Sequence, residues 1–245
     1  TAWAAQYGKR YIATETKAQC STALHRQAGN GCVAVGFISE NLFDQRALLA
    51  SFSSDGSLDK TDLPCYGNLY TVIPVEGGYL AAGEYYSTDD EDDTGAILIK
   101  YNDKLEMQWQ QKYSEYAQFS GVVENDGSYI AVGCTKDGDT PTGYVASDAI
   151  IAMMNANGEQ QWGKSFVGTE FDLFDDITFV DGNYVAVGYT ASIDRDLAST
   201  SADEYDALIV RFDTTGNKVW QQVYGGDKVE RFTSAVYDGS KIVAA

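Results

Sequence analysis

Five acidic side chains follow one another in the stretch STDDEDDTG, residues 87–95, the densest concentration of potential ligand atoms in the chain. Asp89, Asp90, Asp92 and Asp93 could set clustered carboxylate oxygens around a hard cation. Calcium is the expected ion, because it accepts many oxygens in irregular geometry. Asp137 and Asp139 form a smaller group of the same kind. The match to an ordered calcium loop is partial: Asp90, Asp92, Thr94 and Gly95 fit part of the pattern, and the terminal glutamate is missing. The plain alternative is a solvated acidic run that keeps the surface soluble, with no cofactor at all.

A second chemistry is recognition of hydroxyl-rich ligands. Tyr11, Tyr85, Tyr86, Tyr144 and Tyr205 stand in or beside long polar segments, and Asp194 and Asp196 occupy one of those segments. Tyrosine rings stack on sugar faces while carboxylates accept hydroxyl hydrogen bonds, so these seven residues are the candidate ligand contacts. The alternative is that the rings pack beneath their own loops. Catalysis is the third possibility. His25 is the single histidine, in STALHRQ, and reads as a structural strand residue. Paired carboxylates can hydrolyse glycosides without histidine, but no pair stands apart from the other acids.

The chain carries 36 acidic against 17 basic residues, a net charge of −19. Such a surface repels phosphate backbones and anionic lipid, which excludes nucleic acid and membrane surfaces as expected partners. No apolar run approaches the about 18 residues of a membrane span, and a monomeric domain is expected. The chain opens without a charged-then-apolar leader, so a mature chain is expected. Cys20, Cys32, Cys65 and Cys134 lack CxxC spacing, which argues against a zinc site. They are either two disulfides in one of three connectivities or buried thiols.

The elements that must position these residues are written as repeats. GCVAVGFIS (31–39), GGYLAAGEYY (77–86), GSYIAVGCTK (127–136) and GNYVAVGYTA (182–191) are copies of one strand, and GSKIVAA (239–245) is a clipped fifth. Gly36, Gly83, Gly133, Gly188 and Ala245 align at intervals of 47, 50, 55 and 57 residues. A second marker follows in RALLASF (46–52), GAILIKY (95–101), DAIIAMM (148–154) and DALIVRF (206–212). A third is a turn and tryptophan at Trp109, Trp162, Trp220 and Trp3, with Lys60 in that place in the first full unit. Asn30-Gly31, Gly77-Gly78, Asp126-Gly127, Asp181-Gly182 and Asp238-Gly239 mark hairpins between first and second strands.

Four antiparallel strands in each unit of roughly 50 residues, repeated, predict an all-β β-propeller. The units fall near 17–66, 67–116, 117–170, 171–227 and 228–245, the last completed by 1–8. About five four-stranded blades are expected in a single domain over 1–245, with the N-terminal strand closing the ring, or else a piece of a larger propeller. The apolar runs AILIKY and AIIAMM do not alternate, as strands buried on both faces do not. Tyr7, Tyr113, Phe166 and Tyr224, each four residues after a tryptophan, are expected to pack blade on blade.

On these motifs the chain resembles the tandem-repeat β-propellers of secreted and surface bacterial proteins, which pair a GGYIVAG-type strand with a DAxIxK-type strand and an NGxxxW turn. The resemblance covers nearly the whole chain. It implies an extracellular or cell-surface location and, because such propellers mostly have no assigned chemistry, it implies no activity.

Antiparallel connectivity puts the short turns on one face and every long loop on the other. The loops at 39–46, 87–95, 135–148 and 191–206 carry −1, −5, −2 and −4, which is −12 of the net −19. Charge and length variation thus gather on one rim, where binding loops belong. The expected function is non-enzymatic recognition of carbohydrate or protein at that rim, with a scaffold module second and a carboxylate-based hydrolase third.

Overall fold

The computed structural model describes residues 31–39, 45–90, 92–135, 147–192 and 205–245, together with the backbone of 12–13, 16–19 and 24–26. Among these residues every regular element is a β-strand. The first sheet holds β1 (Ile12–Ala13), β2 (Thr16–Gln19), β3 (Leu24–Arg26), β4 (Cys32–Ser39), β5 (Gln45–Phe52) and β6 (Leu58–Asp62). β2 and β3 both pair with β4, so its inner neighbour comes in two pieces. The second sheet is β7 (Gly67–Val75), β8 (Gly78–Tyr86), β9 (Thr94–Asn102) and β10 (Met107–Tyr113). The third is β11 (Tyr116–Asn125), β12 (Ser128–Thr135), β13 (Ala149–Met154) and β14 (Gln160–Phe166). The fourth is β15 (Asp172–Val180), β16 (Asn183–Thr190), β17 (Asp206–Phe212) and β18 (Lys218–Tyr224), and β19 (Ala235–Tyr237) pairs with β20 (Ile242–Ala244) alone.

The second, third and fourth sheets are four-stranded antiparallel meanders in chain order, and consecutive sheets stack face to face as propeller blades do. Strand β9 shows why its sequence does not alternate. Ile97 and Ile99 enter the core shared with the first sheet, while Ala96 and Leu98 enter the core shared with the third. All four are fully buried, and each large side chain contributes roughly 1.5–3 kcal/mol by leaving water.

The recurring glycine of each second strand has a steric cause. The first strand carries a β-bulge opposite it, between Leu69 and Thr71, Phe119 and Gly121, and Phe174 and Asp176. A methyl group added at Gly83, Gly133 or Gly188 would run into the backbone carbonyl of Asn68, Gln118 or Leu173 on that bulged strand. Glycine is therefore required at the point where the two backbones close on one another.

Hairpins Asp126-Gly127 and Asp181-Gly182 have positive φ at both residues (49° and 73°, 47° and 75°), the type I′ geometry the sequence predicts. Two turns differ. In the second sheet Val75 pairs with Gly78, so the turn residues are Glu76 and Gly77 in place of Gly77 and Gly78. Tyr237 pairs with Ile242, leaving a four-residue loop at 238–241. The Asp238 carboxylate closes it by accepting from the backbone of Ser240 and Lys241. Asn30 lies outside the described residues.

The tryptophan strands lock one blade to the next. Trp109 lies over Gly158 in the β13–β14 turn, and Trp162 lies over Gly216 in the β17–β18 turn. Both glycines have left-handed φ (79° and 75°). At the corresponding junction between the first and second sheets both partners change together. Lys60 replaces tryptophan, and Leu105 (φ 55°) replaces glycine and is buried. Lys60 donates from Nζ to the Leu105 carbonyl at 2.6 Å, and the leucine side chain joins the core that elsewhere lies beneath the indole. The aromatic residues four positions on divide: Tyr113 and Phe166 are buried, but Tyr224 is 54% exposed, because among the described residues no third strand covers it. Tyr7 and the N-terminal strand expected to close the ring lie outside the described residues.

The exchange predicts a coupled response in urea unfolding. Lys60→Trp alone overfills the junction and costs about 1–3 kcal/mol. Leu105→Gly alone loses a buried leucine, at roughly 2–5 kcal/mol. The double variant recovers at least about 1 kcal/mol relative to the sum. Additive losses would contradict the exchange.

Candidate site at the long-loop end

The bulges that demand glycine also aim side chains inward. The extra residue of each first strand is Tyr70, Ser120 or Asp175, all close to the strand ends from which the long loops leave. The residue after each recurring glycine is Glu84, Cys134 or Tyr189, at the same end of the second strands. These two series meet. The Tyr70 hydroxyl donates to Glu84 Oε1 at 2.7 Å. Cys134 lies within electrostatic reach of both Tyr70 and Tyr189. Arg231, from the segment between β18 and β19, stacks 5.0 Å over the Tyr189 ring and donates to both carboxylate oxygens of Asp175. Tyr205 meets Tyr189 edge-on at 5.0 Å.

The electrostatics follow from this half-buried position. Burial pushes the Glu84 carboxyl up, opposed by the Tyr70 hydrogen bond, and pushes the Tyr70 phenol up, reinforced by the Glu84 charge. Burial also raises Asp175 against the pull of Arg231. Arg231 is itself held more firmly protonated by Asp175. The result is two half-buried polar groups at one end of the sheets, a phenol with a carboxyl in the second and a guanidinium with a carboxylate and two phenols at the fourth.

The residues expected to bind at the rim are placed as follows. Tyr85 is buried, with Lys112 Nζ 4.1 Å from its ring centre, and burial raises its phenol to about 12. Tyr86 is half-buried, and its hydroxyl both donates to the Gln45 carbonyl and accepts from the Gln45 N–H, each at 2.7 Å. Neither ring is an open stacking platform: Tyr85 packs in the core shared by the first and second sheets, and Tyr86 ties β8 to β5 of the first sheet. Tyr205 remains half-exposed beside Tyr189. Tyr11, Tyr144, Asp194 and Asp196 lie outside the described residues.

The acidic loop is closed by its own bonds. The Ser87 N–H reaches the Asp93 carbonyl at 2.9 Å, and the Asp92 N–H reaches Asp90 Oδ1 at 3.0 Å. Asp93 pairs with Lys112 at 3.1 Å, whereas Asp89, Asp90 and Asp92 face solvent. Among the described residues no three His, Cys, Asp or Glu side chains converge as a metal group. Asp137 and Asp139 lie outside the described residues. His25 is described by its backbone only, paired with Val33 toward the short-turn end and away from both polar groups. Cys32, Cys65 and Cys134 form no disulfide, and Cys20 lies outside the described residues. Burial raises the Cys65 thiol to about 11, which keeps it protonated and unreactive.

A structural carboxyl at the same end was not anticipated. Asp172, fully buried, accepts from the Thr190 hydroxyl at 2.5 Å and the Ser192 hydroxyl at 2.8 Å, pinning the start of β15 to the end of β16.

No protein-family model matches the chain, and no curated protein does. Solved structures do. An α-L-arabinanase of Cellvibrio cellulosa in complex with arabinohexaose is 12% identical, with 84% of this chain and 79% of that one covered and a TM-score of 0.45. A Synechocystis apocarotenoid oxygenase mutant is 9% identical at a TM-score of 0.46, with 85% of this chain covered. This chain spans about half (50%) of the oxygenase's length. The Dos1 propeller is 8% identical at a TM-score of 0.38, with 93% and 75% covered. All three scores lie below 0.5.

The buried carboxyls predict a pH response with a definite sign. Burial raises Asp172 to about 6 even though Thr190 and Ser192 pull it down, and it raises Glu84, Asp175 and Asp176 as well. The folded chain therefore keeps protons that the unfolded chain, with carboxyls near the usual ~4, has already released. The stabilisation from Asp172 is complete below about pH 4 and is lost as pH rises through about 6, and Glu84, Asp175 and Asp176 act in the same direction. The melting temperature should climb by a few degrees between pH 7 and pH 5, and Asp172→Asn should flatten part of that climb. A melting temperature that falls over this interval would contradict the assignment.

Proposed function

We propose that this chain is a non-enzymatic recognition module whose long-loop face binds carbohydrate. The observation that carries the reading is two half-buried polar groups, Tyr70–Glu84 and Tyr189–Arg231–Asp175, at the end where the long loops emerge, with Cys134 within electrostatic reach of both. Half-buried phenols and carboxylates suit ligands with many hydroxyls and exposed C–H faces. Fixed strands carry the contacts and the loops enlarge the rim, the usual division of labour in binding proteins. In this reading the blades number about five and close as a ring, the module acts outside the cell as a monomer, and calcium, if used, sits among the solvent-facing Asp89, Asp90 and Asp92.

A protein ligand is the second reading. It is favoured by those same three exposed carboxylates, which present a local anionic surface complementary to a basic partner. A module that only holds other domains apart is the third.

A glycan array probed with the purified chain, with and without millimolar calcium, separates these readings. Selective binding is expected, lost in Glu84→Gln and Tyr189→Ala while the melting temperature stays near that of the parent. Binding abolished instead by Asp89→Asn/Asp90→Asn/Asp92→Asn, together with a blank array, would move the assignment to a basic protein partner. Turnover of a bound glycan would overturn the non-enzymatic reading.

A further inference from the structure

Strand β14 of the third sheet leads into β15 of the fourth through the connector 167–171, and a buried carboxyl lies where the two sheets join. Asp172, Thr190 and Ser192 are all fully buried, and the two hydroxyls meet the carboxyl oxygens at 2.5 and 2.8 Å. The connector is threaded between this trio and the third sheet. The Gly168 N–H donates to Asp148 Oδ1 at 3.1 Å, and the Glu170 N–H donates to the Ser192 hydroxyl at 3.1 Å. The Asp172 N–H donates to the Ser147 carbonyl at 2.8 Å, and the Ala191 N–H to the Phe171 carbonyl at 2.9 Å. A methyl group added at Gly168 would strike Ser192 Oγ and Asp172 Oδ2, so the connector runs directly against the carboxyl.

The two hydroxyls suit a carboxyl that changes its protonation. With Asp172 ionised, both donate to it. With Asp172 neutral, its own proton can lie toward Thr190 Oγ1, because the Thr190 hydroxyl has a second acceptor in the Ser192 carbonyl at 3.5 Å. Neither state orphans a buried hydroxyl. What differs is the charge. An ionised carboxylate in this enclosure carries the desolvation cost of a buried ion. The charge acting on it, that of Asp148 in the third sheet, is also negative. The other nearby acids are Glu170, exposed on the connector, and Asp206, buried one strand beyond Thr190 in the same row. Burial accordingly raises the Asp172 carboxyl to about 6.

We propose that Asp172 is a proton-operated clamp between the third and fourth sheets: its neutral carboxyl holds the connector and the end of β16 together, and its ionisation lets that junction open locally. Opening admits water to the carboxyl, which then ionises near the usual ~4. The opening constant therefore rises by up to about a hundredfold as pH climbs from about 4 to about 6, and levels off above that. Tyr189, which carries the Arg231 stack, directly precedes Thr190, so the clamp adjoins the candidate site without belonging to it.

The test is residue-resolved hydrogen exchange of the 245-residue chain from about pH 4 to about pH 7.5, corrected for the intrinsic pH dependence of amide exchange. Carbon NMR of the Asp172 carboxyl runs alongside. The amides of Gly168, Glu170 and Ser192 should open more readily than those of Val132 and Val187 at strand centres. Their opening should rise about a hundredfold and level off at the pH where the carboxyl titrates. Asp172→Asn should make these opening constants independent of pH. Asp148→Asn keeps an acceptor for the Gly168 N–H but removes the negative neighbour, so it should move the levelling point to lower pH. Connector amides that exchange only together with the strand centres would overturn the proposal. So would a pH dependence that survives Asp172→Asn, which would assign the titration to Asp206. An unmoved levelling point in Asp148→Asn would overturn it as well, even where Asp172→Asn fails to fold.

Discussion

Strand β9 turns Ile97 and Ile99 to one side and Ala96 and Leu98 to the other, and neither side can be left in water. That requirement governs the molecule. A sheet apolar on both faces needs a neighbour on each, and a row of similar sheets stacked blade on blade meets the need at every interior position. The outermost strands confirm the logic by contrast: β10 and β14 alternate exposed and covered residues because only one edge and part of each face meet a neighbour. Stacking also explains why Trp109 and Trp162 recur, since each caps a junction by lying on the turn of the next blade. Lys60 with Leu105 shows that the junction has more than one solution, provided both partners change.

The same closeness of packing shapes the candidate site. Where the first strand bulges toward the glycine of the second, one residue per sheet is released from the regular alternation and directed inward. Tyr70 and Asp175 owe their positions to that bulge, and they find Glu84 and Arg231 there. A structural demand for glycine and a chemical opportunity for polar groups thus arise from one backbone feature. Burial keeps the carboxyls of Glu84 and Asp175 partly desolvated, which raises their proton affinity and strengthens hydrogen bonds made to them.

Much of the fold was legible in the sequence because it rests on local signals. The repeated AVG strand, the Asp-Gly turns with positive φ, and the unbroken apolar runs each follow from short-range chemistry. The alternation in GYLAAGEYY even contains the burial of Tyr85, two steps in phase from Ala81 and Gly83, although proximity to the acidic loop made it look like a rim residue. The site was less legible. A bulge is one additional residue in a strand and has no compositional mark, so Tyr70, Ser120 and Asp175 could not be singled out. Glu84 meets Tyr70 across 14 positions, and Arg231 meets Asp175 across 56. Such pairings depend on how sheets stack, which no window of sequence contains. The exposed Asp89, Asp90 and Asp92 were visible, but the bonds that close their loop and the use of Asp93 by Lys112 were not.

Residue-resolved hydrogen exchange of the intact chain tests most directly whether two-sided covering is what stabilises it. The amides of β8, β12 and β16, covered on both faces and paired on both edges, should exchange slowest and together, near the global unfolding limit. Those of β19 and β20, covered on one face, should exchange orders of magnitude faster. Protection at β20 equal to that of β16, or ready exchange through β8 and β12, would contradict the account.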